Sequence, residues 1–520
     1  MSGWSLSRRT FLKTGLALTA LAGKQAGADE GPRRPNILVI MPDQMRGDCL
    51  SAVGHPAVRT PHIDALAEEG ALFRRGYAEV PSCIPARYAY LTGMSPQASG
   101  VVGYNTSTRL TRHSMPQLFQ DAGYFTVLVG RSMHQQNTDE ELGYELVLQG
   151  SAWSTRQEDY RQYLEERLPP DTPLGQVLHE DGFRSMAEEI GVTYNHWQAE
   201  PWPLEEEWHP INWVARESRE LLEETDAERP VFLTTSFYAP HPPLFPAERL
   251  FDAYIEKELP EPATGAWVDW DALSPPPGSH GGSRVRLEGD TLRRAQAGYF
   301  GLIEQIDETI APLIADFKAR SEEAGRPWIV LLTSEHGEML GDHGYFRKCE
   351  PYEGSANVPY IVAASEDLGF ERGMRSNEPV GLQDVLPTLA DLSGVSIPDD
   401  VDGLSLVPYL RGETQEVRPW LHFEHHPTYS DQQAFHALTD GRYKYIWRTE
   451  DGSEQLFDLD ADPMEERDLA LESAEAYQEL LQQWRQRLIE RLEPRPEGFS
   501  DGEQLIAGQP YQAHQPGTQP

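Results

Sequence analysis

The chain is poor in cysteine and in positive charge. Its 520 residues contain three cysteines, Cys49, Cys83 and Cys349, which allow at most one pair and exclude a disulfide-stapled scaffold. Lysine occurs six times (13, 24, 257, 318, 348, 444), leaving 38 arginines among 44 basic residues, and 83 acidic residues bring the formal charge to −39. A surface of that sign repels nucleic-acid phosphates and anionic lipid headgroups, so neither is expected as a partner. Long apolar runs are also missing. No stretch approaches the ~20 residues of a membrane-spanning helix, and no internal repeat is visible. A hydrophobic share of 39% still suffices for a packed core, and the length implies more than one simple core.

The first residues carry an address. "SRRTFLKTGLALTALAG" has paired Arg8 and Arg9, then Phe11-Leu12-Lys13 and a short apolar run, and Ala26-Gly27-Ala28 supplies a small-residue cleavage pattern. Residues 1–28 therefore read as a twin-arginine export signal, which predicts a periplasmic or extracellular protein. Cleavage there takes the formal charge from −39 to −43.

Beyond it, "NILVIM" (36–41), "FTVLVG" (125–130), "PVFLTTSFY" (230–238), "WIVLLTS" (328–334) and "PYIVAA" (359–364) are continuous apolar runs rich in β-branched residues. Such runs predict strands buried on both faces. Helical patterns lie between them. "TLRRAQAGYFGLIEQIDETIAPLIADF" puts Tyr299, Ile303, Ile306, Ile310 and Leu313 at helical spacing. Alternation of this kind predicts an α/β fold with a mostly parallel sheet flanked by helices, over residues 34–412. Residues 150–230 and 256–290 read as insertions that shape a pocket, the second containing the loop-like "SPPPGSHGGS". From 413 to 493 the texture changes to short strands and one helix with Tyr477, Leu481, Trp484, Leu488 and Leu492 on one face, a small C-terminal α+β subdomain. The Gly-, Pro- and Gln-rich residues 494–520 are expected to be poorly ordered.

One stretch points to chemistry. Cys83-Ile84-Pro85-Ala86-Arg87 matches C-x-P-x-R and is followed by "YAYLTG". "RPNILVIMPDQ", "TPHIDALAEEGALF", "APHPP", "TSEHGEMLGDHG", "YEGSANVPYIV", "DVLPTLADLSGV", "DGLSLVPYL" and "DGRYKYIW…EQLFDLDADPMEERDLA" follow as an ordered series over about 34–470. The series resembles the type I, formylglycine-dependent sulfatases of the alkaline phosphatase superfamily. The resemblance implies an alkaline-phosphatase-like α/β domain, hydrolysis of sulfate monoesters, and oxidation of Cys83 to formylglycine by a cytoplasmic maturation enzyme. The hydrated aldehyde then offers one hydroxyl for attack on sulfur and a second to release sulfate.

The same resemblance implies a divalent cation held by Asp43, Gln44, Glu335 and His336 with residue 83. Ca2+ is the first choice for oxygen ligands, and Mn2+ or Mg2+ are alternatives because of the histidine nitrogen. Glu335 stands where the family usually has Asp, so its carboxylate reaches roughly 1.5 Å further, one C–C step. Arg87 and Lys348 are implied as cationic catalytic groups, and His241 as a contact to sulfate or the leaving oxygen. Asn105 and Arg131 are implied as substrate-binding residues. His134 is implied as a base for the second hydroxyl, one residue later than in the family's G-K-x-H. The bulky Tyr88 and Tyr104, if either ring faces the site, would crowd the second substituent of a phosphodiester.

The substrate expected is a sulfated small molecule or glycan. The runner-up is a phosphonate monoester or phosphodiester hydrolase with the same machinery, and the rival from another class is a catalytically silent glycan-binding relative.

Overall fold

The computed structural model describes residues 33–134, 136–150, 158–225, 228–270 and 284–518. The export-signal reading and the "SPPPGSHGGS" loop lie outside the described residues.

Fourteen strands run through the described residues: β1 (Asn36–Asp43), β2 (Gly70–Phe73), β3 (Gly76–Tyr77), β4 (Phe125–Gly130), β5 (Leu146–Gln149), β6 (Val231–Pro240), β7 (Trp328–Thr333), β8 (Tyr360–Ala364), β9 (Met374–Ser376), β10 (Val380–Gly381), β11 (Leu421–His425), β12 (Phe435–Thr439), β13 (Tyr443–Arg448) and β14 (Glu454–Asp458). An eight-stranded sheet has the order β5-β4-β6-β1-β7-β8-β2-β9. Its centre, β4-β6-β1-β7, is parallel, whereas β8 pairs antiparallel with both β7 and β2. β1 is buried along its whole length. Ile37, Val39 and Met41 pack into one core and Leu38 and Ile40 into the other, on opposite faces of the sheet. Each such side chain contributes ~1.5–3 kcal/mol on burial, which explains why the most apolar run lies mid-sheet.

The predicted helical face is real. Tyr299, Ile303, Ile306, Ile310 and Leu313 are all fully buried in helix Gly289–Glu323. Part of the first predicted insertion belongs to the frame, however. Helix Pro210–Glu224 buries Trp213, Val214, Leu221 and Leu222 and connects to β6 as a crossover helix.

β11 to β14 form an antiparallel sheet in sequential order. Strand alternation gives this sheet two apolar faces. Phe423, Phe435, Ala437, Ile446 and Phe457 meet Tyr77, Met339 and Tyr352, while Leu438, Tyr445, Trp447 and Leu456 meet Leu481, Trp484, Leu488 and Leu492 of helix Glu475–Leu492. The C-terminal subdomain is thus fused to the α/β domain through one face and covered by its helix on the other.

The tail expectation is corrected. Residues 494–518 pack back over the fold: Phe499 is fully buried, Val102 N donates to Ala513 O at 2.9 Å, and Gln515 N donates to Gly100 O at 2.8 Å. The anchor is Arg495, whose Nη1 and Nη2 donate to Glu424 Oε1 and Oε2 at 2.7 and 2.8 Å. Tyr511 OH donates to the same carboxylate. Composition misleads here because one buried charge pair outweighs a loop-like sequence. Burial works against the Glu424 charge, but Arg495, His436 and His422 hold its carboxyl well below the ordinary value. A depressed folded pKa stabilises above the unfolded value of about 4.3 and loses that contribution as pH falls further. Arg495→Ala strands a buried carboxylate and is expected to cost about 3–5 kcal/mol in urea unfolding at pH 7, with a smaller cost at pH 3. An equal loss at both pH values would contradict the account.

Candidate active site

The strand ends assemble the site. Asp43 ends β1 after a register shift at Pro42, Arg131 follows β4, His241 follows β6, and Glu335 and His336 follow β7 by two and three residues. All four strands are parallel, so these ends lie on one edge, where open α/β sheets place their ligands. Cys83 opens helix Cys83–Thr92, with Pro85 in the first turn where its missing N–H costs nothing. The N-cap Ser82 spends its hydroxyl on His425 Nε2 at 2.7 Å, an anchor from the C-terminal subdomain that the sequence did not reveal.

Asp43, Cys83, Glu335 and His336 converge, with one ligand atom from each within 4.8 Å of the others, all buried. His336 Nδ1 donates to Gly337 O at 3.0 Å, so its Nε2 presents a lone pair while the ring is neutral. Burial first, then Lys348, pushes the His336 pKa down to about 4, so neutrality holds near pH 7. That Nε2 lies 3.2 Å from Glu335 Oε1, 3.7 Å from Asp43 Oδ1 and 3.3 Å from Cys83 Sγ. Asp43 Oδ1 and Glu335 Oε1 have no hydrogen-bond partner among the described residues. Two buried carboxylate oxygens and an imidazole nitrogen facing one another suit a cation. The donor set fits the divalent ion that the sequence analysis implies.

Positive charge frames this cluster. Arg87, one turn after Cys83, donates Nε to Glu335 Oε2 and Nη1 to Ser132 O at 2.7 Å. The extra methylene of Glu335 thus lets one carboxylate join Arg87 to the cluster. Burial works against the Glu335 charge, yet Arg87 and Arg131 hold its carboxyl well below the ordinary value. Lys348 Nζ lies 3.0 Å from both Cys83 Sγ and Gln44 Oε1 and 3.1 Å from His336 Nε2. Arg131 stands against Asp43 Oδ2 and approaches Glu335 Oε1 at 3.6 Å, so its positive charge lies beside the buried carboxylates.

The two expected histidines differ in what they present. His241 Nδ1 donates to Pro242 O at 2.7 Å, leaving a lone pair on Nε2, and burial, then Lys348 and Arg131, keep it well below its ordinary pKa. Tyr194, from the insertion, stacks on its ring at 5.6 Å between centroids. His134 is the reverse. Its Nδ1 accepts from Gln136 N at 3.2 Å, so the neutral ring carries hydrogen on Nε2, which is buried and unpartnered among the described residues. Burial, then Arg87 and Arg109, lowers its pKa to about 4. In this tautomer Nε2 is a donor, whereas the role implied by the resemblance is that of a base.

Two further expectations change. Asn105 is used locally, its Oδ1 accepting from Ser107 N at 2.9 Å and Ser107 Oγ at 2.7 Å in an exposed turn. Tyr88 is fully buried in the core with Leu386 and Leu389, so it leaves the site uncrowded. Sequence reasoning also missed Glu338, although it stands inside the quoted "TSEHGEMLGDHG". Among the described residues one more buried His/acid group exists, His422, Glu424 and His436. Arg495 already occupies both oxygens of Glu424, so this is an ion-pair network and not a vacant ligand set.

Comparison with known proteins gives the family. The family model for Sulfatase matches residues 35–395, and the model for N-sulphoglucosamine sulphohydrolase, C-terminal, matches 341–493. An arylsulfatase of Clostridium perfringens is 35% identical over 496 residues, covering 92% of this chain and 98% of that protein. A choline-sulfatase of Rhizobium meliloti is 30% identical, covering 84% and 82%. The solved phosphonate monoester hydrolase of Agrobacterium radiobacter superposes with a TM-score of 0.69 at 25% identity, over 88% of this chain and 95% of that one. With the ordered motifs, the convergent carboxylates and the match of most of its length, the chain belongs to the sulfatase family of the alkaline phosphatase superfamily and is a sulfuric ester hydrolase.

Proposed function

We propose that this protein is an exported sulfatase that removes sulfate from sulfated carbohydrates, using a formylglycine made from Cys83 and one divalent cation, Ca2+ in first place. The observation that carries the reading is the convergence of Asp43, Glu335 and His336 beside Cys83, framed by Arg87 and Lys348. Asp43, Gln44, Glu335 and His336 would hold the cation, and Cys83 Sγ stands where an oxygen of residue 83 would lie. Such an ion, when bound, neutralises sulfate charge and acidifies an oxygen ligand. The unmodified thiol is a poor nucleophile. Burial first, then Glu335, pushes it up to about 11, so thiolate is scarce near neutral pH.

The chain's own groups divide the remaining work. Burial opposes the charge of Lys348, and of the neighbours that favour it, Cys83, Tyr429 and Glu335, the Glu335 carboxylate is the one that remains an anion beside a formylglycine and supports Lys348 as an ammonium. Lys348 Nζ can hold a sulfate oxygen and donate to the leaving oxygen. Arg87 Nη2 is buried without a partner among the described residues and is available to the same anion. His241 Nε2 offers a proton acceptor, and His134 Nε2 a donor. The N-terminus of the Cys83 helix adds its favourable dipole.

The phosphonate monoester reading shares this machinery and draws support from the structural neighbour. Kinetics on p-nitrophenyl sulfate, a sulfated monosaccharide panel, a p-nitrophenyl phosphodiester and a phenylphosphonate monoester decide between them. The expected result is the highest kcat/KM on a sulfated sugar. A diester or phosphonate above every sulfate would overturn the reading. Export rests on Arg8, Arg9 and the Ala26-Gly27-Ala28 pattern. It is tested by locating the protein in cells with and without a functional twin-arginine pathway, where cytoplasmic retention in both would refute it.

A further inference from the structure

Three residues beside the cluster hold backbone conformations that residues with side chains avoid. Gln44, Leu340 and Arg347 have φ of 68°, 48° and 76°. All three donate to one carboxylate. The Gln44 side chain gives Nε2 to Glu338 Oε2, and the backbone N–H groups of Leu340 (2.8 Å) and Arg347 both go to Glu338 Oε1. Glu338 itself is 1% exposed. Left-handed conformations persist at functional sites when their surroundings over-determine them, and here a single side chain gathers three.

The main chain around Gln44 is fixed by other groups. Tyr299 OH donates to Gln44 O at 2.6 Å, Ser334 Oγ accepts from Met45 N at 2.9 Å, and Tyr299 OH accepts from Arg46 N at 3.1 Å. What Glu338 decides at residue 44 is therefore the orientation of the amide. A carboxylate only accepts and an ammonium only donates. With Glu338 on one side and Lys348 on the other, the amide has one satisfied arrangement, NH2 toward Glu338 and Oε1 toward Lys348 Nζ at 3.0 Å. That same Nζ touches Cys83 and His336, so Oε1 is the atom turned to the cluster.

We propose that Glu338 is the positioning residue of the cation site: it turns the oxygen of Gln44, rather than its NH2, toward the metal ligands, and holds the left-handed turn at Arg347 that delivers Lys348. The proposal rests on the reading of Asp43, Gln44, Glu335 and His336 as a cation site. Groups of this kind behind a ligand fix its orientation, and their loss commonly weakens metal binding. In Glu338→Gln the two backbone N–H groups claim the new amide oxygen, its NH2 then faces the NH2 of Gln44, and Gln44 must flip and withdraw its oxygen.

The test uses the mature full-length protein stripped of metal by chelation, with Ca2+ and separately Mn2+ titrated by calorimetry and no substrate present. Glu338→Gln is expected to raise Kd about 10–100-fold. The exchanged pair Gln44→Glu/Glu338→Gln, in which the new NH2 meets a carboxylate whose other oxygen faces the cluster, is expected to return Kd toward the parent value. A parent-like Kd for Glu338→Gln, or an exchanged pair as weak as the single variant, overturns the proposal. A merely structural Glu338 would lower the melting temperature of the metal-free protein without any rescue by the exchange. Should Glu338→Gln fail to fold, the exchanged pair carries the test: folded and binding supports the proposal, folded and not binding overturns it. A parent protein that binds neither ion overturns the cation reading itself and this inference with it.

Discussion

Cys83→Ala will abolish turnover of every sulfate ester while leaving the fold intact, with kcat/KM falling on the order of 10^6-fold, the scale seen when a nucleophile is removed. Cys83 is 6% exposed at the first position of its helix, and alanine fits that place without a new volume to accommodate. The cost in stability is expected to stay within about 2 kcal/mol, because one sulfur is lost from a helix that is buried along its whole length. Lys348 loses one partner but keeps Gln44 Oε1. Circular dichroism melting checks the fold, and peptide mass spectrometry of active enzyme checks for an aldehyde at position 83. Fully active protein carrying only unmodified cysteine would refute the formylglycine reading, and so would an active alanine variant.

Asp43→Ala will lower kcat/KM by at least about 10^3-fold, since it removes a charged contributor to electrostatic stabilisation in a buried site, and will reduce bound metal. Asp43 Oδ1 lies 3.7 Å from His336 Nε2, and Arg131 stands against Oδ2 and balances the buried charge. Removing the carboxylate leaves Arg131 uncompensated, so a loss of stability of about 3–5 kcal/mol accompanies the loss of activity. Asp43→Asn separates the two effects. It keeps the shape and one accepting oxygen but not the charge, and is expected to recover part of the stability without recovering the rate. Metal content by atomic emission, kcat/KM after chelation, and recovery on adding Ca2+ complete the test. A chelated, metal-free enzyme that kept its full rate would show that the cluster does not work through a cation.

Much of the frame was legible because it is written locally. Ile37, Val39 and Met41 on one face and Leu38 and Ile40 on the other are apolar wherever the strand lies, so an unbroken run announces a buried strand. The face of Tyr299, Ile303 and Ile306 announces its helix in the same way. Strand direction is not written so. "PYIVAA" reads like its parallel neighbours, yet β8 runs antiparallel, since an apolar run encodes burial and not polarity of the chain.

The site divides along the same line. Sequence alone supplied an ordered series of motifs, and its resemblance to the sulfatase family is what named Cys83, Arg87, Asp43, Gln44, His241, Glu335, His336 and Lys348 as candidates for one site. Tertiary structure decided what each presents. Gln44 meets Glu338 across 294 residues and Cys83 meets His336 across 253, and no local pattern specifies a hydrogen-bond partner at that separation. Which ring nitrogen of His134 or His241 carries hydrogen was settled by the backbone group that the other nitrogen meets. The tail from Pro494 was settled by Glu424, a buried carboxylate whose desolvation demands the charge of Arg495. Apolar burial follows from each residue's own chemistry, whereas a polar group's role follows from the partner that folding brings to it.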